Sequence, residues 1–481
     1  MNETRELCGV CGYCLTQNED VSPLIYNSLL AMQHRGQESA GISTIHNGKI
    51  YLHRGMGLVS QVFNEKILRS MKGNIGVGHV RYSTAGKSSL QDAQPYLAKY
   101  PKRGIVLAFN GNVVNNLKLR KKLYKDGVYL ETSSDSETLT LLLSDLIHQE
   151  KSWDHPVYSL MTLVEGAYSV ILLTGENELV AFRDPYGFRP LSYSVGDNVT
   201  AVSSESVGLN INGLMDVKEL PPGSLLVCNN EGCEVKRILD SKRRAYCMFE
   251  YVYFSRPDSI LCGRYVYDVR VRLGMELAKT YDTGSADVIV PVPDTSRPAA
   301  EGISQISGIP VAEGLIKNRY VGRTFIMPDM ERRRNAVEMK LNSIRSVLEG
   351  REVIVVDDSI VRGITSKRIV DIVRRAGARK VRFWVTCPPI RSPCFYGIDM
   401  STHRELIAFN KSIEEIQKSI GADELRYQTI EGLVKAIGLR CDELCLACLT
   451  GQYPTPLAQQ IADKYKNLKP GSRYTELTPI R

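Results

Sequence analysis

Three apolar, β-branched runs constrain this chain most: ADVIVPVPD (286–294), REVIVVDDS (351–359) and KVRFWVTC (380–387). Strands that are hydrophobic on both faces must be covered on both, and helical patterns stand between the first two runs and again after the second. Together they predict a parallel, doubly wound sheet. In TSKRIVDIVRRAGA (365–378), Ile369, Ile372 and Val373 share a face and Gly377 is a stop signal. The first half reads differently. GIVLAFN (104–110), YSVILLT (168–174) and ELVAFRDPYG (178–187) are separated by Gly, Asn and Asp, which predicts large antiparallel sheets. Helices are expected over PLIYNSLLAMQHRG (23–36), ended by Gly36, and over 134–148, with a linker at 230–250.

The chain has 481 residues, enough for two or three domains, and it lacks any apolar run of about 18 residues that could span a bilayer. Its start, MNETRELCGVCGYC, has no secretory pattern, so a cytoplasmic location and reduced cysteines are expected. Lys and Arg exceed Asp and Glu by 61 − 53 = 8, which suits an anionic small substrate, while no basic run with interleaved aromatics points to nucleic acid.

VIVVDDSIVRGITS (353–366) is a strand ending in Asp357 and Asp358, then a loop with Ser359, Arg362, Gly363, Thr365 and Ser366 that opens a helix. Ligands bind at this edge of parallel sheets. Adjacent carboxylates accept hydrogen bonds from sugar hydroxyls, and a helix start with hydroxyl side chains cradles phosphate, so one sugar phosphate satisfies both. The stretch resembles the signature of type I phosphoribosyltransferases, and VDDSIVRG resembles that of the glutamine phosphoribosylpyrophosphate amidotransferase family. VPDTS (292–296) and KNRYVGRTFI (317–326) match the same family. The resemblance implies ribose on Asp357 and Asp358, the 5′-phosphate in the loop from Ser359 to Ser366, and diphosphate near Lys317, Arg319, Arg323 and Lys340. It also implies Mg²⁺ close to Thr295, Asp357 and Asp358. Two departures stand out: Ile364 replaces the usual Thr, which removes a hydroxyl, and Glu338 stands where Arg is expected, which implies either weaker substrate binding or compensation by Arg332, Arg333 or Arg334.

CGVCGYC (8–14) fits the three-cysteine opening of an iron–sulfur motif, but the glycines and Val10 also suit a buried strand. QHRGQESAGI (33–42), GHVRYST (78–84), FNGNV (109–113) and SSDSE (133–137) together resemble the glutaminase domain of N-terminal nucleophile amidotransferases. That resemblance implies that Cys8 is the nucleophile and its freed α-amine the base, so that residues 1–7 form a propeptide. Asn110 and Gly111 are then the oxyanion donors, and Arg81 and Asp135 grip the glutamine carboxylate and amine. His34 and His79 are expected to be local hydrogen-bonding residues, and Cys11 and Cys14 core.

CDELCLACLTG (441–451) contains Cys445-x₂-Cys448, whose spacing is moderately specific for a metal. The iron–sulfur, propeptide-bearing subgroup of the family places a [4Fe–4S] cluster on positions matching Cys247, Cys394, Cys445 and Cys448. Zinc is the alternative for four thiolates, and Cys441 is an extra ligand candidate. Cys228, Cys233, Cys262 and Cys387 are expected to be buried small hydrophobes.

The combined resemblance implies an α+β N-terminal nucleophile hydrolase domain, with stacked antiparallel sheets between helices, at 8–235. An α/β type I phosphoribosyltransferase domain with a cysteine-bearing C-terminal extension follows at 236–481. It further implies conversion of phosphoribosyl diphosphate, glutamine and water to 5-phosphoribosylamine, glutamate and diphosphate, the first committed step of de novo purine synthesis. A shielded ammonia path, purine nucleotide inhibitors and a homotetramer go with it, without nucleic acid or membrane. Rival readings are delivery of ammonia to another acceptor, which the aspartate-pair strand opposes, and a non-catalytic regulator, which would need a DNA-binding module.

Overall fold

The computed structural model describes residues 8–82, 89–98, 104–132, 134–147, 150, 152–229, 232–241, 243–318, 341–400 and 402–464. The amino-terminal part is two antiparallel sheets of seven and six strands, face to face. The three strands expected from the first half, Ile105–Val113, Gly166–Thr174 and Glu178–Arg183, are neighbours in the six-stranded sheet. The strand Gly9–Leu15 lies inside the other, between Val199–Ser203 and Ile75–Arg81. Its side chains alternate between layers, as a strand's must. Val10 and Cys14 enter the core between the sheets with Val106 and Ile171, whereas Cys11 and Tyr13 face Ile25 and Leu29 of the helix Ser22–Ala31. Cys11 and Cys14 therefore point to opposite faces, which removes the iron–sulfur reading of CGVCGYC. The glycines let the layers close: a Cβ on Gly12 would lie 2.7 Å from Ile171, and one on Gly78 2.4 Å from Ile25.

The first helix stops at Ala31, before Gly36, and a 3-10 turn spans Gln33–Arg35. Gly36 is extended, and its requirement is space, since a Cβ there would meet the Val80 carbonyl carbon at 2.5 Å. Helices Asn116–Lys125, Asp135–Ile147 and Asp154–Leu163 cover the outer face of the six-stranded sheet through Leu119, Leu139, Leu143 and Val157.

In the carboxyl-terminal half, Val288–Pro291, Glu352–Asp357, Lys380–Val385 and Glu424–Tyr427 form one parallel sheet in that order. Ile289, Ile354, Val356 and Trp384 pack with Leu277, Ala299, Ala300 and Ile303 of the helices Val266–Thr280 and Arg297–Ser307. Val290, Val355 and Phe383 share a second core with Ile369, Val370 and Val373 of the helix Ile364–Arg375. Both faces are thus covered. The expected linker starts too early, because Gly232–Arg237 pairs with Ser224–Asn229 as the edge of the six-stranded sheet. Two of the scattered cysteines also differ from expectation: Cys228 and Cys387 are buried, but Cys233 and Cys262 are only partly so. Among the described residues no helix is long and apolar enough to cross a membrane.

Candidate functional site

Cys8 stands immediately before its strand, where Gly9 pairs with Val80 and so sets it beside the end of Ile75–Arg81. Its Sγ donates to the Tyr82 carbonyl at 3.6 Å, and its own carbonyl accepts from Arg35 Nε at 3.1 Å. Burial pushes the thiol up to about 11; the Tyr82 contact and Arg81 pull it down, and Asp135 and Glu38 push it further up. At neutral pH this sulfur is a thiol that needs a base. His79 does not offer one: burial holds it down at about 3, and its Nε2 lies 3.0 Å from the Phe109 carbonyl.

Asp135 starts its helix and accepts the Val113 N–H at 3.2 Å, which ties it to the strand Ile105–Val113; burial lifts its carboxyl to about 6. The same strand carries Asn110, fully buried, with neither polar atom of its amide hydrogen-bonded. A buried amide without partners is rare and expensive unless something else satisfies it. Gly111 follows, where a Cβ would sit 1.9 Å from the Ala167 carbonyl oxygen, so no larger residue fits. The charges of Arg81 and Asp135 thus act on Cys8, with the unsatisfied Asn110 amide on a strand of the facing sheet. Residues 1–7, and Ser83, Thr84 and Ser133 of the quoted motifs, lie outside the described residues.

At the second constellation Asp357 and Asp358, both buried, end the strand Glu352–Asp357. Asp358 accepts from the hydroxyls of Thr295 at 2.5 Å and Ser359 at 2.7 Å. Burial raises its carboxyl despite those bonds and the charge of Arg270. Gly363 adopts a left-handed conformation at φ 78°, and a Cβ there would lie 2.3 Å from Ile407, so the loop turns tightly into the helix Ile364–Arg375. The Ser366 hydroxyl inside the first turn is buried without a hydrogen bond, and Ile364 is 60% exposed at the helix start. An orphaned hydroxyl in the first turn of a helix, at the positive end of its dipole, fits an incoming phosphate. Arg362 pairs with Glu405 at 3.6 Å and Lys317 with Asp294 at 3.2 Å. Arg319, Arg323, Lys340, Glu338 and Arg332 to Arg334 lie outside the described residues.

The late cysteines gather at the junction of the halves. Cys247 pairs in register with Cys445 between the short strands Tyr246–Cys247 and Leu444–Cys445. Burial pushes the thiols of Cys247, Cys445 and Cys448 up, and neighbouring cysteine charges, that of Cys394 among them, push each further. Four soft donors, Cys445 and Cys448 buried and Cys247 and Cys394 partly so, fit a thiolate-bound metal group, although no set of three or more is drawn in to single-ion distance among the described residues. Cys441 is exposed on a 3-10 turn and does not join them. The loop holding Cys394 also touches the strand Ile105–Val113, where Asn112 Nδ2 donates to the Phe395 carbonyl at 2.9 Å, and Phe188 stacks on Tyr396 of the same loop at 4.1 Å.

Sequence reasoning missed the buried ions around Cys8. Arg35 lies inside a quoted motif, but its partners Glu205 and Glu250 follow no pattern that a linear reading detects.

Two family profiles match the chain, a glutamine amidotransferase domain at residues 79–210 and a phosphoribosyl transferase domain at 271–396. The amidophosphoribosyltransferase of Methanothermobacter thermautotrophicus is 45% identical over 98% of this chain and 99% of its own. That of Bacillus subtilis is 43% identical over 94% and 95%. The structure of glutamine phosphoribosylpyrophosphate amidotransferase from B. subtilis complexed with ADP and GMP superposes with a TM-score of 0.86 at 42% identity, covering 94% of this chain and 98% of that one. A structure described as the allosteric regulatory enzyme of purine biosynthesis gives 0.87 at 42% identity, with 94% and 97% covered.

Proposed function

The chain belongs to the amidophosphoribosyltransferase family, and on that premise we propose how its two sites divide the reaction. The reaction takes phosphoribosyl diphosphate, glutamine and water to 5-phosphoribosylamine, glutamate and diphosphate, the first committed step of de novo purine synthesis. At the first site Arg81 and Asp135 hold the α-carboxylate and α-amine of glutamine. The Cys8 sulfur attacks the side-chain amide, and the α-amine freed by loss of residues 1–7 takes the thiol proton and passes it to departing ammonia. Asn110 Nδ2 and the Gly111 N–H stabilise the oxyanion, and water then hydrolyses the thioester to glutamate. At the second site Asp357 and Asp358 orient the ribose, the loop from Ser359 to Ser366 holds the 5′-phosphate, and ammonia displaces diphosphate from the anomeric carbon. Lys317, Arg319, Arg323 and Lys340 counter its developing charge. Magnesium, held near Thr295, Asp357 and Asp358, would neutralise diphosphate charge when bound.

The observation that carries the division is the unsatisfied Asn110 amide next to the strand and charges that surround Cys8. Glutamate release measured with and without phosphoribosyl diphosphate and Mg²⁺ tests it. Strong stimulation by the sugar is expected, and equal slow release in both conditions would refute coupling of the sites. Cys247, Cys394, Cys445 and Cys448 suit a structural [4Fe–4S] cluster that staples the interdomain segment to the carboxyl-terminal region. Anaerobically purified protein should then be brown, with about four irons per chain by cluster stoichiometry. Colourless, zinc-containing protein refutes the cluster. Purine nucleotides as inhibitors, a homotetramer and a cytoplasmic location complete the reading, with the ADP and GMP of the B. subtilis structure in support of the first.

A further inference from the structure

Three cysteines that neither site uses meet between the two sheets of the amino-terminal part. Cys228 and Cys233 stand directly opposite each other on the antiparallel strands Ser224–Asn229 and Gly232–Arg237. Residues paired in this way point to the same face of their sheet. Cys14 approaches from the facing sheet, where it pairs with Thr200. It shares a core with Cys228, and Cys233 packs against that core. The side chains touch: Cys14, Cys233 and Thr200 all hydrogen-bond to the Cys228 sulfur. Donation from Cys14 and Cys233 holds the Cys228 thiol well below its usual range, while the two donors are themselves pushed up. Cys14 and Cys228 are almost wholly buried, whereas Cys233 lies on the edge strand and is partly exposed.

Distance decides which bond this cluster can form. A disulfide needs Cα atoms about 4.4–6.8 Å apart. Opposite residues of an antiparallel pair lie about 4.5 or 5.5 Å apart, so Cys228 and Cys233 fall in that range whichever kind of pair they form. Facing sheets lie about 10 Å apart, which is too far for a bond from either strand to Cys14 unless the backbone moves.

We propose that Cys228 and Cys233 form a reversible dithiol–disulfide site, oxidised by a low-molecular-weight disulfide that enters through Cys233. The proposal is independent of the reaction at either site. Cys233, its proton passed to the Cys228 thiolate, attacks one sulfur of the reagent. The reagent's S–S bond breaks, and one thiolate leaves with that proton. Cys228, again a thiolate and held so by Cys14 and Thr200, then attacks the Cys233 sulfur and releases the second thiolate, which takes up the proton that Cys228 first gave to water. The pair has given up two electrons and two protons, and the reagent has become two thiols. Cys14 remains a thiol throughout.

Lys218 and Lys236 place both cysteines, and no other, in one tryptic fragment, 219–236. The anaerobically purified protein is incubated with oxidised glutathione at a concentration that modifies Cys441, which is exposed on its 3-10 turn and reports that the reagent is active. The protein is then unfolded, blocked with iodoacetamide and digested for mass spectrometry. The fragment 219–236 should lose both labels and be two hydrogen atoms lighter than the unlabelled dithiol, and dithiothreitol should restore both labels. Cys14 should stay labelled. Cys228→Ser should stop at a glutathione adduct on Cys233, and Cys233→Ser should leave Cys228 labelled, since the entry thiol is gone. Two labels on the wild-type fragment, when Cys441 in the same sample carries glutathione, overturn the proposal. So does a wild-type adduct that stays on Cys233, which means that the buried sulfur does not complete the exchange, or a disulfide that includes Cys14.

Discussion

Replacing Cys8 by serine is expected to abolish product formation from glutamine, by a factor on the order of 10⁴ or more, as for other enzymes stripped of their nucleophile. Product formation from added ammonia should remain. The sulfur is held up at about 11 by burial, so its proton must be removed during attack. A serine hydroxyl is a still weaker acid, and an amine with a pKa near 7.7 to 8.0 is too weak a base to activate it well. The second site sits on another sheet with its own core, around Val355 and Ile369, and the substitution leaves it intact. The comparison requires processed protein, so intact mass must show a chain beginning at residue 8. Loss of both activities in a correctly processed variant would refute separate sites. An active enzyme retaining residues 1–7 would refute the α-amine as base.

The parallel sheet was legible because its central strands are apolar on both faces, as in Glu352–Asp357, whose run of Val353 to Val356 is buried throughout. The residues that gather around Cys8 stand in short motifs, such as the buried Asn110 followed by a glycine that no larger residue can replace. The strand Glu424–Tyr427 escaped notice because ELRY is half polar and only its register beside Lys380–Val385 makes it a strand. Gly36 was misjudged because its role is a close approach to Val80, which no local pattern reveals. Arg35, Glu205 and Glu250 illustrate the same limit. They are far apart in sequence, and their pairing follows from two sheets and a linker meeting in space.

Substituting both aspartates, Asp357→Asn and Asp358→Asn, is expected to abolish synthesis from glutamine and ammonia alike, leaving slow glutamine hydrolysis that the sugar no longer stimulates. Thr295 and Ser359 donate to different oxygens of Asp358, so asparagine still accepts from one of them and donates its NH2 to the hydroxyl oxygen of the other. It loses the negative charge. The stability effect has a definite sign: burial raises the Asp358 carboxyl in the folded protein, so the charged form is penalised and the fold is weakened as pH rises through that raised value. Removing the charge relieves this penalty, so the ligand-free variant should melt no lower than wild type near neutral pH. Wild-type protein should gain about 2.7 kcal/mol when phosphoribosyl diphosphate is present at a hundredfold excess over its Kd. The variant should gain almost nothing. A thermal-shift series with and without the sugar and Mg²⁺ reads both effects. A variant that melts well below wild type would mean that the pair supports the fold, and a preserved ligand shift would mean that the ribose binds elsewhere.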